Sequence, residues 1–363
     1  ISSFTSLATG TSWGTMGTVG LALVGVGNAL GINPAMTAGA IISGAYFGDK
    51  LSPLSDSTIL AASVSGTDVI THIKHMLWTT IPGFIVCTVV YLFAGMAGAG
   101  DAVTKGAEIQ VYLDTLGQLY NFNILLALPI VLVLLGSLRH KPTIPVMLGA
   151  ALLAVVLTLI FQTSTLSEVL NAGIKGFNIN MIHVEGVDIE AANGIVGRLL
   201  NRGGLNSMMG TFMVALTAMC YAGAVAVTDS IRIVIARLLK GVKTTGSLIL
   251  VTLFSGLATA GIMSNLQIAM LITGEMFQDE YKKRGLAAIN LSRTIEDCTT
   301  MTVPLIPWTG AALYMSSTLG VSVADYAPWA ILCYTGMIFA AIWGYTGIGI
   351  AKLPEGAATK KVA

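Results

Sequence analysis

The chain has 363 residues, of which 54% are hydrophobic and 10% are charged, and its formal net charge is +1. A soluble domain carries roughly 25% charged residues, so this composition excludes an ordinary soluble protein and indicates a membrane protein. The near-zero net charge gives no reason to expect a nucleic-acid partner. The chain opens at Ile1 without a basic segment, and we expect it to be the middle of a longer protein.

The first polar stretch follows 48 residues that contain no Asp, Glu, Lys, Arg or His. Residues 49–58 then supply two acids, a base, Pro53 and several hydroxyls before the apolar character resumes. A proline breaks a helix, and open backbone in a bilayer persists only where it is buried in protein or lines a polar cavity. The sequence therefore predicts a broken helix over 33–64. The alternative is a loop between two membrane helices.

Charge-free runs of about 20 residues are long enough to cross a bilayer. They predict spans at 76–98, 121–138, 142–161, 206–228, 244–274 and 326–351. A second interrupted span is predicted over 286–319.

Two short similarities indicate an internal repeat. The hexapeptide FTSLAT at 4–9 returns as FSGLAT at 254–259, and LSDST at 54–58 is weakly similar to IEDCT at 295–299. The two matches occur in the same order along the chain, which favours a duplicated unit.

Basic residues mark the cytoplasmic ends of membrane spans. All basic clusters fall on one side if 244–274 enters and leaves the membrane on that side, so we predict a re-entrant hairpin over 244–278 with its tip near 258–261. By the repeat, residues 1–30 form the matching hairpin, with its tip near 9–14. The alternative is two straight helices.

These elements form two inverted repeats, as in many secondary transporters. The first repeat covers 1–98, the second covers 121–351, and a cytoplasmic tail follows at 352–363. The predicted fold is an all-α membrane protein, a polytopic bundle of inverted repeats, each with a re-entrant hairpin and a broken transmembrane helix.

Four motifs carry a family resemblance. They are GAYFGDKLSPLSDST at 44–58, ATGTSWGT at 8–15, RGGLNSMM at 202–209 and PLIPW at 304–308. The chain resembles the NhaC-type sodium/proton antiporters over essentially its whole length. The resemblance implies the ion-transporter superfamily fold and a missing N-terminal portion, because family members carry helices ahead of the first motif. Members of the family often have an acidic residue after the paired glycines of the helix at 206–228. This chain reads YAGAVA at 221–226, without an acid, so a role for that acid cannot be transferred to it.

The acids in the two broken segments are the leading candidates for an ion site. A carboxylate that holds either a proton or sodium couples the two ions, and hydroxyls, amides and carbonyls supply further hard oxygen ligands. We predict that Asp56 and Asp297 bind sodium; the alternative is that each caps a half-helix N-terminus. The complete candidate set is Asp49, Ser55, Asp56, Ser57, Thr58, Thr11, Ser12, Ser264, Asn265, Arg293, Glu296, Asp297, Thr299 and Thr300.

Nearby residues leave alternatives open. Arg293 lies one helical turn before Glu296, so it either neutralises Glu296 or holds a substrate carboxylate. Lys50 either pairs with Asp49 or reaches an anion. Three histidines either face lipid headgroups, as we expect, or sense pH: His72, His75 and His140. Trp13 and Trp308 either pack the hairpin tips or cover a site, and Cys298 is expected to be a packing residue.

The sequence contains no HExxH, GxSxG or Walker A motif, so we expect a transporter and not an enzyme. The predicted function is sodium/proton antiport across the cell inner (cytoplasmic) membrane by alternating access, with Na+ and H+ as cargo and no cofactor. Coupled exchange of small carboxylates such as malate and lactate, or of amino acids, is the alternative. A passive channel and an intramembrane hydrolase are the rivals from other classes. Whether two copies form a homodimer stays open.

Overall fold

The computed structural model describes residues 1–97, 102–139, 141, 143–201 and 203–353. This part of the chain is helical, with one isolated β-bridge between Leu286 and Lys352. Its α-helices are α1 Ser2–Thr9, α2 Ser12–Thr15, α3 Leu21–Ala29, α4 Pro34–Leu51, α5 Asp56–Ser65, α6 Val69–Ala97, α7 Ala102–Leu119, α8 Leu128–Leu138, α9 Thr143–Phe161, α10 Leu166–Lys175, α11 Ile189–Leu200, α12 Leu205–Ala226, α13 Ser230–Leu239, α14 Thr245–Met263, α15 Leu266–Lys283, α16 Ala288–Cys298, α17 Gly310–Leu319, α18 Val323–Tyr326 and α19 Ile331–Thr346.

The chain divides into two compact units. Unit 1 contains Ile1–Gly20, Ala38–Phe93 and the chain from Met213 onward, and unit 2 contains Leu21–Thr37 and Ala94–Phe212. Three helices in the described residues are long and apolar enough to cross a membrane, or four if a pair bent by 100° counts as one span. The three are Val69–Met96, Leu205–Ala226 and Thr245–Met263.

Unit 1 contains two interrupted helices. Helix α4 ends at Leu51 and α5 begins at Asp56, on either side of Pro53, inside the interval predicted to hold a broken helix. Helix α16 ends at Cys298 and α17 begins at Gly310, with a 3-10 turn at Val303–Leu305 between them. At both interruptions the last carbonyls of a helix have no partner within that helix. We call residues 52–55 the first break and residues 299–309 the second break.

The turn between α1 and α2 and the turn between α14 and α15, both in unit 1, have the same backbone and capping pattern. Gly10 ends α1 with φ of 69°, and Ser264 ends α14 with φ of 50°, so both adopt the left-handed conformation. The next residue in each case caps the following helix: the Thr11 hydroxyl accepts from Gly14 N at 3.2 Å, and the Asn265 side chain accepts from Ile268 N at 3.0 Å. These caps satisfy the otherwise free N–H groups of the following helices.

The turn between α14 and α15 lies further along the chain than we expected. The predicted tip, residues 258–261, is inside α14, which continues to Met263. Small residues in that stretch do not force a turn; the left-handed Ser264 and the capping Asn265 do.

Glycines allow the two arms of this hairpin to approach the interrupted helices. A Cβ at Gly256 of α14 would lie 2.2 Å from Cys298 Sγ of α16, and one at Gly274 of α15 would lie 1.9 Å from Val64 Cγ1 of α5. Cys298 is fully buried in the hydrophobic core of this unit, as expected for a packing residue. The first arm, α14, therefore packs against α16, and the second arm, α15, packs against both α5 and α16.

Unit 2 has a separate small core of Leu119, Ile179, Ile182, Ala192 and Val196. Helix α10 begins with a capping box in which Thr165 and Glu168 bond each other, and these hydrogen bonds lower the pKa of Glu168 to about 2. The exposed His183 lies with its Nε2 2.7 Å from Glu168 Oε1.

Helix α1 packs closely on α4 at Gly48. A Cβ there would lie 2.3 Å from Ser3 O and 2.5 Å from Leu7 N, and backbone atoms cannot move aside cheaply. We expect Gly48→Ala to destabilise the protein by about 1–3 kcal/mol, because overpacking forces the helices apart. Thermal unfolding in detergent measures this. Gly223→Ala, with nothing within 4 Å of its Cβ, is the matched control and should be neutral or stabilising; equal effects of the two variants would contradict the close approach.

Candidate functional site

A cavity of about 450 Å³ lies in unit 1, lined by residues of both turns, of the second break and of the helix ends beside the first break. The turns supply Thr11 and Ser12 on one side and Ser264 and Asn265 on the other; the breaks and the helix ends beside them supply further polar residues. These further polar residues are Asp49, Asp56, Ser57, Thr300 and Thr309. The cavity is therefore lined by oxygen-bearing side chains from four separate parts of the sequence.

Two carboxylates face this cavity. Asp49, in the last turn of α4, is 7% exposed, and its Oδ1 has no hydrogen-bond partner among the described residues. The hydroxyls of Ser12 and Ser55 interact with the same carboxylate. A buried carboxylate oxygen without a partner is costly, so it marks a position where a ligand or a proton is expected.

Asp56, the second carboxylate, is exposed and begins α5. Its Oδ1 accepts from Ser57 N at 3.0 Å, and its charge lies at the positive end of the helix dipole. Asp56 therefore stands at the helix N-terminus, where its charge is favourable, but Ser55 and not Asp56 is the N-cap residue, and no side-chain capping hydrogen bond is formed.

The electrostatic character of the cavity is acidic. Among the described residues that line it, two are Asp and none is Lys, Arg or His. A cleft lined by one sign of charge attracts ions of the opposite sign. The cavity therefore favours a cation over a carboxylate substrate.

A second group of charges is buried outside the lining of the cavity. Lys50 Nζ donates to Asp297 Oδ1, and the two side chains are 1% and 0% exposed. Thr79 of α6 donates to the same oxygen at 3.2 Å. Asp297 lies in the last turn of α16, so the helix-capping role considered for it is wrong: the helix dipole there disfavours a negative charge, and Lys50 offsets that cost.

Glu296 lies between these two groups. It is fully buried, accepts a hydrogen bond from Thr300, and its Oε1 has no partner among the described residues. Because Thr300 lines the cavity, its side chain links Glu296 to the cavity wall, and Glu296 adjoins Asp297 in the chain.

The structure brings eight of the fourteen candidate residues to the cavity, namely Thr11, Ser12, Asp49, Asp56, Ser57, Ser264, Asn265 and Thr300. Among the other six, Thr58 and Thr299 donate to backbone carbonyls, at Lys50 O (3.1 Å) and Ile295 O (2.7 Å). Ser55 interacts with Asp49 behind the lining. Asp297, Glu296 and Arg293 are fully buried away from it.

The two local ion pairs considered from the sequence are absent from the ion pairs of the described residues. Lys50 pairs with Asp297 instead of Asp49, and Arg293 Nη1 donates to Gly349 O at 2.8 Å instead of pairing with Glu296. The internal repeat could have suggested the Lys50–Asp297 contact. It aligns residues 295–299, which include Asp297, with residues 54–58, which follow Lys50 closely in the chain. No sequence signal pointed to the contact of Arg293.

The expectation that the histidines face lipid headgroups was wrong for two of them. His72 is fully buried and His75 is 8% exposed, with its Nε2 3.2 Å from Asn290 Oδ1. His140 and Arg202, the first residue of one resemblance motif, lie outside the described residues.

Trp13 lines the cavity, and Trp308 is hydrogen-bonded to the second turn. Trp13 lines the cavity and stacks on Tyr314 with ring centroids 4.7 Å apart. Trp308 donates from Nε1 to Gly261 O at 2.7 Å, and Ser264 Oγ donates to Trp308 O at 3.0 Å, so the second turn is bonded to the second break.

The residues that form the cavity fall within one family model, described as the Na+/H+ antiporter family, which matches residues 1–63 and 44–348. The chain belongs to this family. It is 46% identical over 98% of its length to an uncharacterized Na+/H+ antiporter of Haemophilus influenzae, of which the alignment covers 75%. No solved structure matches the chain at a significant level.

Two further relatives carry different names. The Na+/H+ antiporter NhaC of Alkalihalophilus pseudofirmus is 35% identical over 97% of this chain and 73% of its own length. The malate-2H+/Na+-lactate antiporter of Bacillus subtilis is 33% identical over 96% of this chain and 72% of its own length. Proteins that are similar to this chain thus have different substrates in their names.

Removing one partner of the Lys50–Asp297 pair leaves a buried charge without compensation. We expect Lys50→Met or Asp297→Leu to cost about 3–5 kcal/mol, and the double variant to cost less than the sum. Thermal unfolding in detergent measures all three. Lys283→Met, which breaks the exposed Lys283–Glu280 pair, should leave the unfolding temperature almost unchanged, because solvent screens an exposed pair. Strictly additive single effects would show that the two charges do not stabilise each other.

Proposed function

We propose that this chain exchanges sodium for protons at the acidic cavity of unit 1. The observation that carries the proposal is the unpartnered, buried Oδ1 of Asp49 in a cavity that has a second carboxylate and no basic residue among its described lining. Membership of the Na+/H+ antiporter family supports the same activity. The family and the apolar helices make the chain a multi-pass membrane protein; the cytoplasmic membrane is part of the proposal.

In the proposed site, Asp49 and Asp56 hold the ion. Sodium is a hard cation, and the hydroxyls of Ser12, Ser57 and Thr300 offer neutral oxygens around the two carboxylates. A carboxylate binds either sodium or a proton, because each neutralises the same charge. Competition at these acids gives exchange: a proton arriving at the site releases sodium, and sodium arriving releases a proton.

The proposal differs in one respect from the sequence-based expectation about Asp297. The pairing of Asp297 with Lys50 neutralises its charge, and it does not line the cavity. Asp49 takes its place as the second sodium ligand. We assign Glu296, which contacts the cavity residue Thr300, to proton binding instead of sodium binding.

Exchange of a small organic anion is the alternative that one relative's name raises. The residues expected to hold a carboxylate were Arg293 and Lys50, and neither lines the cavity. A carboxylate there would face Asp49 and Asp56 without a cation to balance it, and like charges brought together without compensation are unfavourable. The geometry therefore supports cation exchange.

Inverted repeats remain part of the proposal for the fold. Both turns combine a left-handed residue with a capping residue, and each turn contacts one break: Ser52 Oγ donates to Leu7 O at 2.9 Å beside the first turn, and Ser264 Oγ bonds Trp308 O at the second. The parallel between the two turns supports a duplicated unit. The pairing of α14 with α15 supports a re-entrant hairpin whose two ends lie in the cytoplasm.

Transport by the full-length protein in proteoliposomes tests the function. With a pH dye inside, external sodium alone should drive proton efflux, while malate, lactate or amino acids without sodium should not. Asp49→Asn and Asp56→Asn should each lower this rate by about two orders of magnitude, because the site loses a charge that binds both ions. Asp279→Asn, at an exposed position on α15, is the matched control. Activity with a carboxylate and none with sodium would refute the proposal.

Cysteine labelling in intact cells and inverted vesicles tests the hairpin. Cys220 is exposed and the other three cysteines are buried, so Cys220→Ser gives a background with little labelling. In that background, Thr244→Cys and Lys282→Cys place exposed thiols at the start of α14 and the end of α15. Both should react only from the cytoplasmic face. Reaction of the two thiols from opposite faces would show that α14 and α15 together cross the membrane once, and would contradict the hairpin.

A further inference from the structure

Most of the hydroxyls that line the cavity are already bound by the protein itself. Five Ser and Thr side chains of the lining form a hydrogen bond with another protein atom, namely Thr11, Ser57, Ser264, Thr300 and Thr309. Each of these hydroxyls is oriented by its protein partner, so only its remaining hydrogen-bonding capacity is open to an ion.

Tyr46 of α4 supplies a further hydroxyl to the lining. Its side chain is 2% exposed, and its hydroxyl has no hydrogen-bond partner among the described residues. A buried polar group without a partner is costly, and a phenylalanine would fill nearly the same space without that cost. The hydroxyl of Tyr46 therefore indicates a ligand.

Asp49 lies one helical turn after Tyr46 on the same face of α4, and both side chains line the cavity. The buried Oδ1 of Asp49 also has no partner among the described residues, so the phenol and the carboxylate do not satisfy each other. Ser12, which begins α2, interacts with both side chains but makes no hydrogen bond of normal geometry with the Tyr46 hydroxyl. Oxygens from α2 and α4 thus surround one part of the cavity.

We propose that the Tyr46 hydroxyl is a ligand of the cation that Asp49 holds, so that α4 supplies two oxygens to one ion. The inference rests on the proposed sodium/proton exchange and adds a neutral ligand that was not among the fourteen candidates. A phenol offers an oxygen lone pair while it keeps its proton, so Tyr46 does not change its protonation state. Because the side chain is packed on a helix, this ligand is in place before the ion arrives.

A buried water that joins Tyr46 to Asp49 is the structural alternative. A hydroxyl bonded to such a water stabilises the fold whether or not sodium is present. A hydroxyl that waits for sodium stabilises only the sodium-bound protein. The two roles therefore predict opposite effects on the sodium-free protein when the hydroxyl is removed.

Thermal unfolding of the full-length protein in detergent, with and without sodium, separates the two roles. Without sodium, Tyr46→Phe should unfold at the same temperature as the unaltered protein or higher, because the variant lacks an unpartnered buried hydroxyl. The sodium concentration that gives half of the stabilisation should rise about tenfold. In proteoliposomes, the KM for sodium should also rise about tenfold, with the maximal rate within about twofold.

Tyr281→Phe is the matched control. Tyr281 is buried in the hydrophobic core of unit 1, donates to Thr252 Oγ1 at 3.3 Å and does not line the cavity. This variant loses a hydrogen bond within the protein, so it should unfold at a lower temperature without sodium. Its sodium affinity and its KM for sodium should stay unchanged.

Each outcome decides the question. A Tyr46→Phe variant that fails to fold, or is less stable than the unaltered protein without sodium, would assign the hydroxyl a structural partner and overturn the proposal. Unchanged sodium affinity and KM in that variant would overturn it as well. If the unaltered protein shows neither stabilisation by sodium nor sodium-driven proton movement, the proposed sodium/proton exchange itself is refuted, a failure distinct from that of Tyr46 as a ligand.

Discussion

The ion pair between Lys50 and Asp297 joins the two interrupted helices of unit 1, and the arrangement of the cavity depends on it. Lys50 lies in the last turn of α4 and Asp297 in the last turn of α16, so each marks the point where its helix stops. Opposite charges in a buried pair need good geometry and additional hydrogen bonds, and Thr79 supplies one to Asp297. With these two charges balanced, Asp49 and Asp56 are the charged groups left facing the cavity.

The hydroxyl groups near the breaks divide between two tasks. Some satisfy the carbonyls that an interrupted helix exposes: Thr58 donates to Lys50 O, Thr302 to Cys298 O at 2.5 Å and Thr309 to Val303 O at 2.5 Å. Others, such as Ser12 and Ser57, face the cavity. Many Ser and Thr residues at a broken membrane helix are thus needed to hydrogen-bond the backbone carbonyls that the break leaves without partners. Only the remaining hydroxyls are available to an ion.

The sequence predicted the helical class, the family and the intervals that hold both breaks, because proline, charge and hydroxyl content are local properties. It placed Asp56 and Asp49 in the candidate set for the same reason. It did not predict that Lys50 reaches a residue 247 positions away, since nothing local distinguishes that contact from a pair with Asp49. The burial of His72 and His75 was missed because basic neighbours along the chain suggested a surface, whereas the fold of unit 1 buries the face of α6 on which they lie.

The contacts of Gly256 and Gly274 have a mechanical consequence. Helix α14 is seated on α16 through Gly256, and α15 is seated on α5 through Gly274, with no room for a side chain at either point. The two arms are also joined to each other at Ser264 and Asn265. Helix α15 also packs against α16, and α5 and α16 pack against each other, so the two arms and the two interrupted helices form one close-packed group. Because a close-packed interior transmits displacement, a movement of α5 or of α16 has to be accommodated by both arms of the hairpin.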